Sequence, residues 1–168
     1  MSLSMYHASV PVFLRMLGNL SGILHKAEAY AVARKIDPSV LLNARLAPDM
    51  HPLVRQVQIA SDSVKGCAAR LAGIEIPSYA DNESSFAELQ VRIAKTQAFL
   101  QSIVAAQIDG SEERSITLTF PGAQMTFSGQ EYLLHFVLPN FYFHLTTAYA
   151  ILRHNGLDIG KMDFLGRP

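Results

Sequence analysis

Four long stretches of this chain place apolar residues at every third or fourth position, the spacing that makes a continuous stripe along one face of an α-helix. The stretches run from Ser4 to Arg34, from His51 to Leu71, from Ser85 to Ala106 and from Ser128 to Asn155. A helix with one apolar stripe has to bury that stripe against a neighbour, and four such helices do so side by side. The spacing therefore predicts an all-α fold, a four-helix bundle.

The start of the first helix depends on Pro11, which lies inside the apolar pattern. We expect a long helix that begins at Ser4 and bends at Pro11, because Met5 and Tyr6 already fit the stripe. The alternative is a helix whose first turn contains Pro11 and whose cap lies near Ser9.

Local signals mark the ends of the other helices. An aspartate before a proline predicts a short helical turn over 37–42, and a loop over 43–49 follows it. Ser85 and Glu88 fit a capping box, so the third long helix begins there. The tail from Leu157 to Pro168 carries few packing signals.

The hydrophobic period changes after Gly110. Residues 115–120 and 125–127 alternate apolar and polar side chains, as half-buried strands do, and Pro121-Gly122 between them is a turn signal. We predict a short β-hairpin inserted before the last long helix.

Composition limits the classes of protein that need to be considered. The chain has 168 residues, of which 49% are hydrophobic, which suits a single domain over residues 1–168. Its 14 basic and 14 acidic side chains cancel, so no field attracts nucleic acid or an anionic membrane surface. No leader-like segment and no apolar run of about 20 residues is present, so we expect a cytoplasmic protein without a membrane span. The one cysteine, Cys67, lies in an apolar helical pattern and is expected in the core.

The last long helix carries two polar side chains on an apolar face. Asn140 and His144 are one helical turn apart, and Val137, Phe141 and Ala148 share their face. A buried amide or imidazole without a partner is costly. A metal, a bound small molecule or another side chain must therefore satisfy them.

The order of the elements and the last helix resemble the DinB/YfiT-like superfamily, whose members include metal-binding proteins. The resemblance rests on Met5–Pro11, on Arg45–Gln58 at the start of the second long helix, and on Tyr132–His144 continuing to Gly156. It covers nearly the whole chain and implies the bundle fold.

The resemblance also implies a site for a divalent cation. Members that bind one use a histidine from the second helix and two histidines, four residues apart, from the fourth. The matching positions here are His51, Asn140 and His144, for zinc, nickel or manganese. Asparagine replaces the first histidine of the pair, and an amide oxygen is a weaker ligand for zinc or nickel than an imidazole nitrogen.

Three further residues complete the candidate site as binding residues. Gln56 is expected to face His144 across the bundle and to orient it by a hydrogen bond. His7 lies near the bend at Pro11 and can point toward the mouth of the bundle. Tyr142 belongs to an aromatic face of the last helix, which is typical of a core or a subunit interface.

Two hypotheses for the function follow. The first is a small-molecule-binding or interaction domain in which the metal site is degenerate. The alternative is a divalent-metal-dependent enzyme, by resemblance a thiol or small-molecule transferase, in which His51 and His144 hold the cation. The sequence contains no nucleophile elbow, phosphate loop, paired-cysteine or His-Glu-x-x-His motif. Positive mean hydropathy favours a homodimer formed through the aromatic face and the hairpin.

Overall fold

The structure is a computed structural model that describes residues 3–166. The predicted domain, residues 1–168, includes two further residues at each end, and the last two residues of the predicted tail lie outside the described range. No helix in this described range is both long and apolar enough to cross a membrane. In chain order the elements are α1 (Val10–Arg34), α2 (Pro38–Leu42), α3 (Leu53–Ala72), α4 (Phe86–Gln101), α5 (Ala105–Ile108), β1 (Ile116–Phe120), β2 (Ala123–Phe127), α6 (Gly129–Glu131), a π-helical segment (Tyr132–Val137), α7 (Leu138–His154) and α8 (Lys161–Leu165).

The four long helices α1, α3, α4 and α7 pack side by side. Helix α3 has α7 on one side and α4 on the other. Helix α1 packs along α4 and meets α7 where the rings of Phe13 and Phe141 touch edge to face, with their centroids 5.5 Å apart. Each long helix turns its apolar stripe inward, and buried side chains such as Phe86, Leu24 and Leu71 fill the interior. The predicted four-helix bundle is confirmed.

Helix α1 begins at Val10, so the prediction of a longer helix that starts at Ser4 and bends is wrong. Pro11 lies in the first turn, where its missing N–H leaves no helical hydrogen bond unmade. Ser9 is the cap residue, and its hydroxyl donates backward to the Met5 carbonyl at 2.6 Å. The residues before Val10 therefore form a separate turn, as the shorter alternative requires.

The third long helix, α4, ends at Gln101, so its predicted continuation to Ala106 is wrong. The hydroxyl of Ser102 donates to the Phe99 carbonyl at 2.7 Å, a local bond that competes with further helical pairing. Ile103 then turns into the core, where it is 2% exposed. The chain then continues as the short helix α5.

Helix α8 was not predicted, because its stabilising contacts are distant in sequence. The Asn19 side chain donates from Nδ2 to the Phe164 carbonyl at 2.9 Å across 145 positions. Lys26 pairs with Asp163 at 2.6 Å across 137 positions. Both contacts fasten the tail to the outer face of α1.

The hairpin packs on one side of the bundle. Strand β1 pairs antiparallel with β2, with Ile116 opposite Phe127, and the chain reverses at Gly122, whose φ of 79° suits glycine. Ile116 and Leu118 turn toward the bundle and are 5% and 7% exposed. The predicted hairpin is confirmed.

The last long helix is continuous from α6 through the π-helical segment into α7, and it begins as predicted. The Ser128 hydroxyl accepts from the Glu131 N–H at 3.3 Å, and the Glu131 carboxylate accepts from the Ser128 N–H at 3.0 Å. The π-helical segment directly precedes Pro139, where an ordinary α-helix would press the proline ring against the His135 carbonyl. The wider turn places the residues of this segment beside the hairpin.

Candidate functional site

His144 and Gln56 meet inside the interface between α7 and α3. His144 is 8% exposed and Gln56 is 1% exposed. Nδ1 of His144 lies 2.7 Å from Oε1 of Gln56. The Gln56 amide is itself held, because its Nε2 donates to the main-chain carbonyl of His51 at 2.9 Å. The predicted facing of Gln56 and His144 is confirmed.

This arrangement selects one form of the His144 imidazole. An amide oxygen only accepts hydrogen bonds, so Nδ1 of His144 carries the proton and Nε2 carries the lone pair. Burial lowers the pKa of His144 from 6.5 to about 4, with smaller contributions from the positive charges of His51 and Arg55. At neutral pH the ring is therefore neutral.

Asn140 is satisfied by a second side chain of α3. Its Nδ2 donates to the Ser63 hydroxyl at 2.7 Å, and that hydroxyl donates to the Ile59 carbonyl at 2.7 Å. Of the partners that the sequence left open, the structure provides side chains for both polar groups of α7.

The other candidate residues lie apart from this pair. The side chain of His51 is exposed just before α3, and its carbonyl is the group that faces Gln56. His7 is exposed, with its Nδ1 3.0 Å from the Ser4 hydroxyl. Tyr142 is 36% exposed and its ring packs against Phe141. Across residues 3–166, no three His, Cys, Asp or Glu side chains form a group that can hold a metal ion.

A cleft of about 330 Å³ opens beside this interface, between the outer face of α3, the hairpin and the π-helical segment. We call it the hairpin cleft. Asn140 lines it together with Ser63, so the polar contact between α7 and α3 forms part of its wall. Apolar side chains form much of the remaining wall, namely Ile59, Leu118, Phe120, Phe136 and Val137.

The C-terminal end of α3 contributes a charged group to the hairpin cleft that was not predicted from the sequence. Arg70 lines the cleft and donates from Nη1 to the Tyr132 hydroxyl at 3.0 Å. Tyr132 is 2% exposed, and burial raises its pKa to about 12. One sequence signal was available, because Gly66 interrupts a helical pattern one turn before Arg70.

A buried arginine pairs with three carboxylates near the other end of the hairpin cleft. Arg92 is 3% exposed and contacts Asp62 at 2.9 Å, Asp81 at 3.0 Å and Glu83 at 2.9 Å. Asp62, which lines the cleft, also pairs with Lys65 at 2.8 Å. This network ties the loop between α3 and α4 to both helices and pairs Asp62 with two cationic side chains.

Cys67 lies in the core, as predicted. It is 0% exposed, and burial raises the pKa of its thiol. A protonated, buried thiol is a packing residue rather than a nucleophile.

The chain is similar to a protein family and to solved structures. A family model described as a domain of unknown function (DUF1993) matches residues 5–165. The crystal structure of a DinB family member protein from Shewanella denitrificans, at 1.83 Å resolution, is similar to this chain with a TM-score of 0.88 and 42% sequence identity. That similarity covers 97% of this chain and 92% of that chain. No curated protein matches the chain.

The lowered pKa of His144 makes stability depend on pH. The unfolded chain, with an ordinary imidazole, binds a proton more readily than the folded chain, so stability is complete above pH 6.5 and falls as the pH drops toward 4. We expect a loss of about 2 kcal/mol between roughly pH 7.5 and 5. Urea unfolding of the wild type and of His144→Gln at both pH values measures it.

The substituted protein should lose much less stability over this interval, because its side chain does not titrate. His154→Gln, which changes an exposed histidine of the same helix, is the matched control and should behave like the wild type. Equal losses in the wild type and in His144→Gln would contradict the assignment.

Proposed function

We propose, from the premise that the chain belongs to the DUF1993 family of DinB-like domains, that it is a small-molecule-binding domain with a degenerate metal site. The hairpin cleft is the observation that carries this proposal. Its volume of about 330 Å³ falls in the range of small-molecule sites, roughly 300–1,000 Å³. Its wall combines apolar side chains with polar and charged ones, and polar groups placed among apolar ones are what orient a small molecule in such a site.

The metal-ligand positions implied by the resemblance do not fit a cation as they stand. The imidazole of His51 is exposed, and the amide of Asn140 is engaged with Ser63. Ligand binding would require His51 to turn inward and Asn140 to release its partner. These groups instead support the contact between α3 and α7, and Asn140 borders the hairpin cleft.

A divalent-metal-dependent transferase is the second candidate, because of the tautomer of His144. Its Nδ1–H is held by Gln56, and its Nε2 carries a lone pair, as in histidines that bind zinc. The protein ligands of the cation would be His144 and a reoriented His51. A bound cation would supply Lewis acidity toward a substrate oxygen or thiol.

Ligand entry into the hairpin cleft is tested with a neutral dye. A solvatochromic naphthalene ketone should bind at one saturable site per chain, with a blue-shifted emission, because Ile59, Phe120 and Phe136 form an apolar part of the wall. Ile59→Trp fills the middle of the cleft and should weaken binding at least tenfold. Val32→Trp, at a position of α1 that is 72% exposed, is the matched control and should bind as the wild type does.

Metal content separates the two candidate functions. The protein is purified without chelator, incubated with zinc, nickel or manganese, desalted and analysed by mass spectrometry of the elements. We expect well below one equivalent of each metal. One equivalent retained by the wild type and by His154→Ala, and lost in His144→Ala, would favour the metal-dependent enzyme instead.

We also propose that the exposed aromatic face of α7 joins two copies of this chain. Phe143 is 55% exposed and Tyr142 is 36% exposed, and Leu46 beside them is 44% exposed. Surplus apolar surface of this kind favours association. Light scattering at micromolar concentration should give twice the mass of one chain, and Phe143→Glu should halve it. A wild type that scatters as a monomer would contradict the proposal.

A further inference from the structure

We propose that the end of the hairpin cleft at Arg70 and Tyr132 binds the anionic group of a small aromatic acid. The guanidinium of Arg70 and the hydroxyl of Tyr132 donate to the anion, and the aromatic body lies against the hairpin. This inference rests on the proposed function, because it assigns a ligand class to the same cleft.

The missing side chain of Gly66 leaves space for the guanidinium of Arg70. Side chains of a helix lean toward its N-terminus, and Arg70 lies back over Gly66. A Cβ added to Gly66 would be 2.6 Å from Nη1 of Arg70, so any larger residue would displace it. Glycine inside a helix costs about 0.5–1 kcal/mol relative to alanine. Helix α3 is thus less stable at Gly66, in the turn against which the guanidinium of Arg70 lies.

Tyr132 completes a pair of donors. Its hydroxyl oxygen accepts from Nη1 of Arg70 at 3.0 Å, so its own proton is left to donate to a ligand. A phenol is protonated at neutral pH, and burial raises the pKa of Tyr132 further, to about 12. Its ring is fixed by stacking on Phe136, with centroids 6.0 Å apart and planes 16° apart. The two donors are therefore held in place before a ligand arrives.

Charge favours an anion at this end of the cleft. Within the described part of the chain, Arg70 pairs with no carboxylate. Arg55, at the other end about 22 Å along α3, is paired with Asp81. Asp62 is compensated by Arg92 and Lys65. The uncompensated charge of the cleft is thus the guanidinium of Arg70, whose fork matches carboxylate and phosphate oxygens.

The apolar walls determine the rest of the ligand. Leu118, Phe120 and Phe136 line the cleft with Arg70 and Tyr132. Phe120 and Phe136 lie 6.4 Å apart between centroids, and they offer ring faces and edges to a flat apolar body. An aryl group that carries one anionic substituent matches both features.

Calorimetric titration with three naphthalene ligands tests the inference. These are 2-naphthoate, 2-naphthyl phosphate and the neutral 2-naphthamide. The wild type should bind at least one anion ten times more tightly than the amide, and the two anions together show whether a carboxylate or a phosphate is preferred. Arg70→Gln should bring the anion and the amide to nearly equal affinity. Arg55→Gln, at the opposite end, should keep the preference.

Gly66→Ala is a variant in which a loss of anion affinity cannot be attributed to misfolding. Alanine raises helix propensity but displaces Arg70, so affinity for the anion should fall several-fold while affinity for the amide is kept. Tyr132→Phe should lower anion affinity in the same selective way.

Two results would overturn the inference. If the wild type binds an anion and the amide equally, the cleft is a small-molecule site without anion selectivity, and the proposed function stands alone. If no naphthalene ligand binds, or if Arg70→Gln keeps the preference, the assignment of Arg70 is wrong. The neutral dye then decides the proposed function independently.

Discussion

A buried hydrogen bond between His144 and Gln56 joins α7 to α3, and the rest of the site depends on it. Both side chains are buried, so loss of either partner would leave a buried polar group unsatisfied, at a cost of about 1–3 kcal/mol. The bond also holds the imidazole in one tautomer. Burial lowers its pKa, so the ring is neutral at neutral pH. Apolar helix faces can slide on one another, and this hydrogen bond fixes the alignment of α7 on α3.

This alignment carries along the pair of helices and produces the hairpin cleft. The last helix runs against the direction of α3, so His144 meets Gln56 and Asn140 meets Ser63, further toward the C-terminal end of α3. Continuing in the same direction, Tyr132 reaches Arg70. The π-helical segment before Pro139 supplies the extra width of turn at this end. The same alignment of α3 and α7 thus sets both the interior polar contact and the position of the hairpin cleft.

Local patterns in the sequence predicted the parts of this architecture that local physics decides. Apolar stripes gave the four helices, alternation gave the hairpin, and the facing of Gln56 and His144 follows from their places on those helices. The start of α1 was misjudged because the stripe extends beyond the cap at Ser9. Helix α8 and the Arg92 network depend on partners far apart in the chain, which no local pattern reveals. The only sequence signal for the position of the Arg70 side chain was Gly66, a glycine inside a helix.

The tautomer and the titration of His144 test the central claim most directly. Long-range proton–nitrogen correlation spectra of the imidazole should show Nδ1 protonated and Nε2 unprotonated at neutral pH. The titration midpoint should lie near pH 4, and zinc should leave both nitrogen shifts unchanged. A proton on Nε2, a midpoint near 6.5, or a shift of Nε2 on addition of zinc would contradict the account.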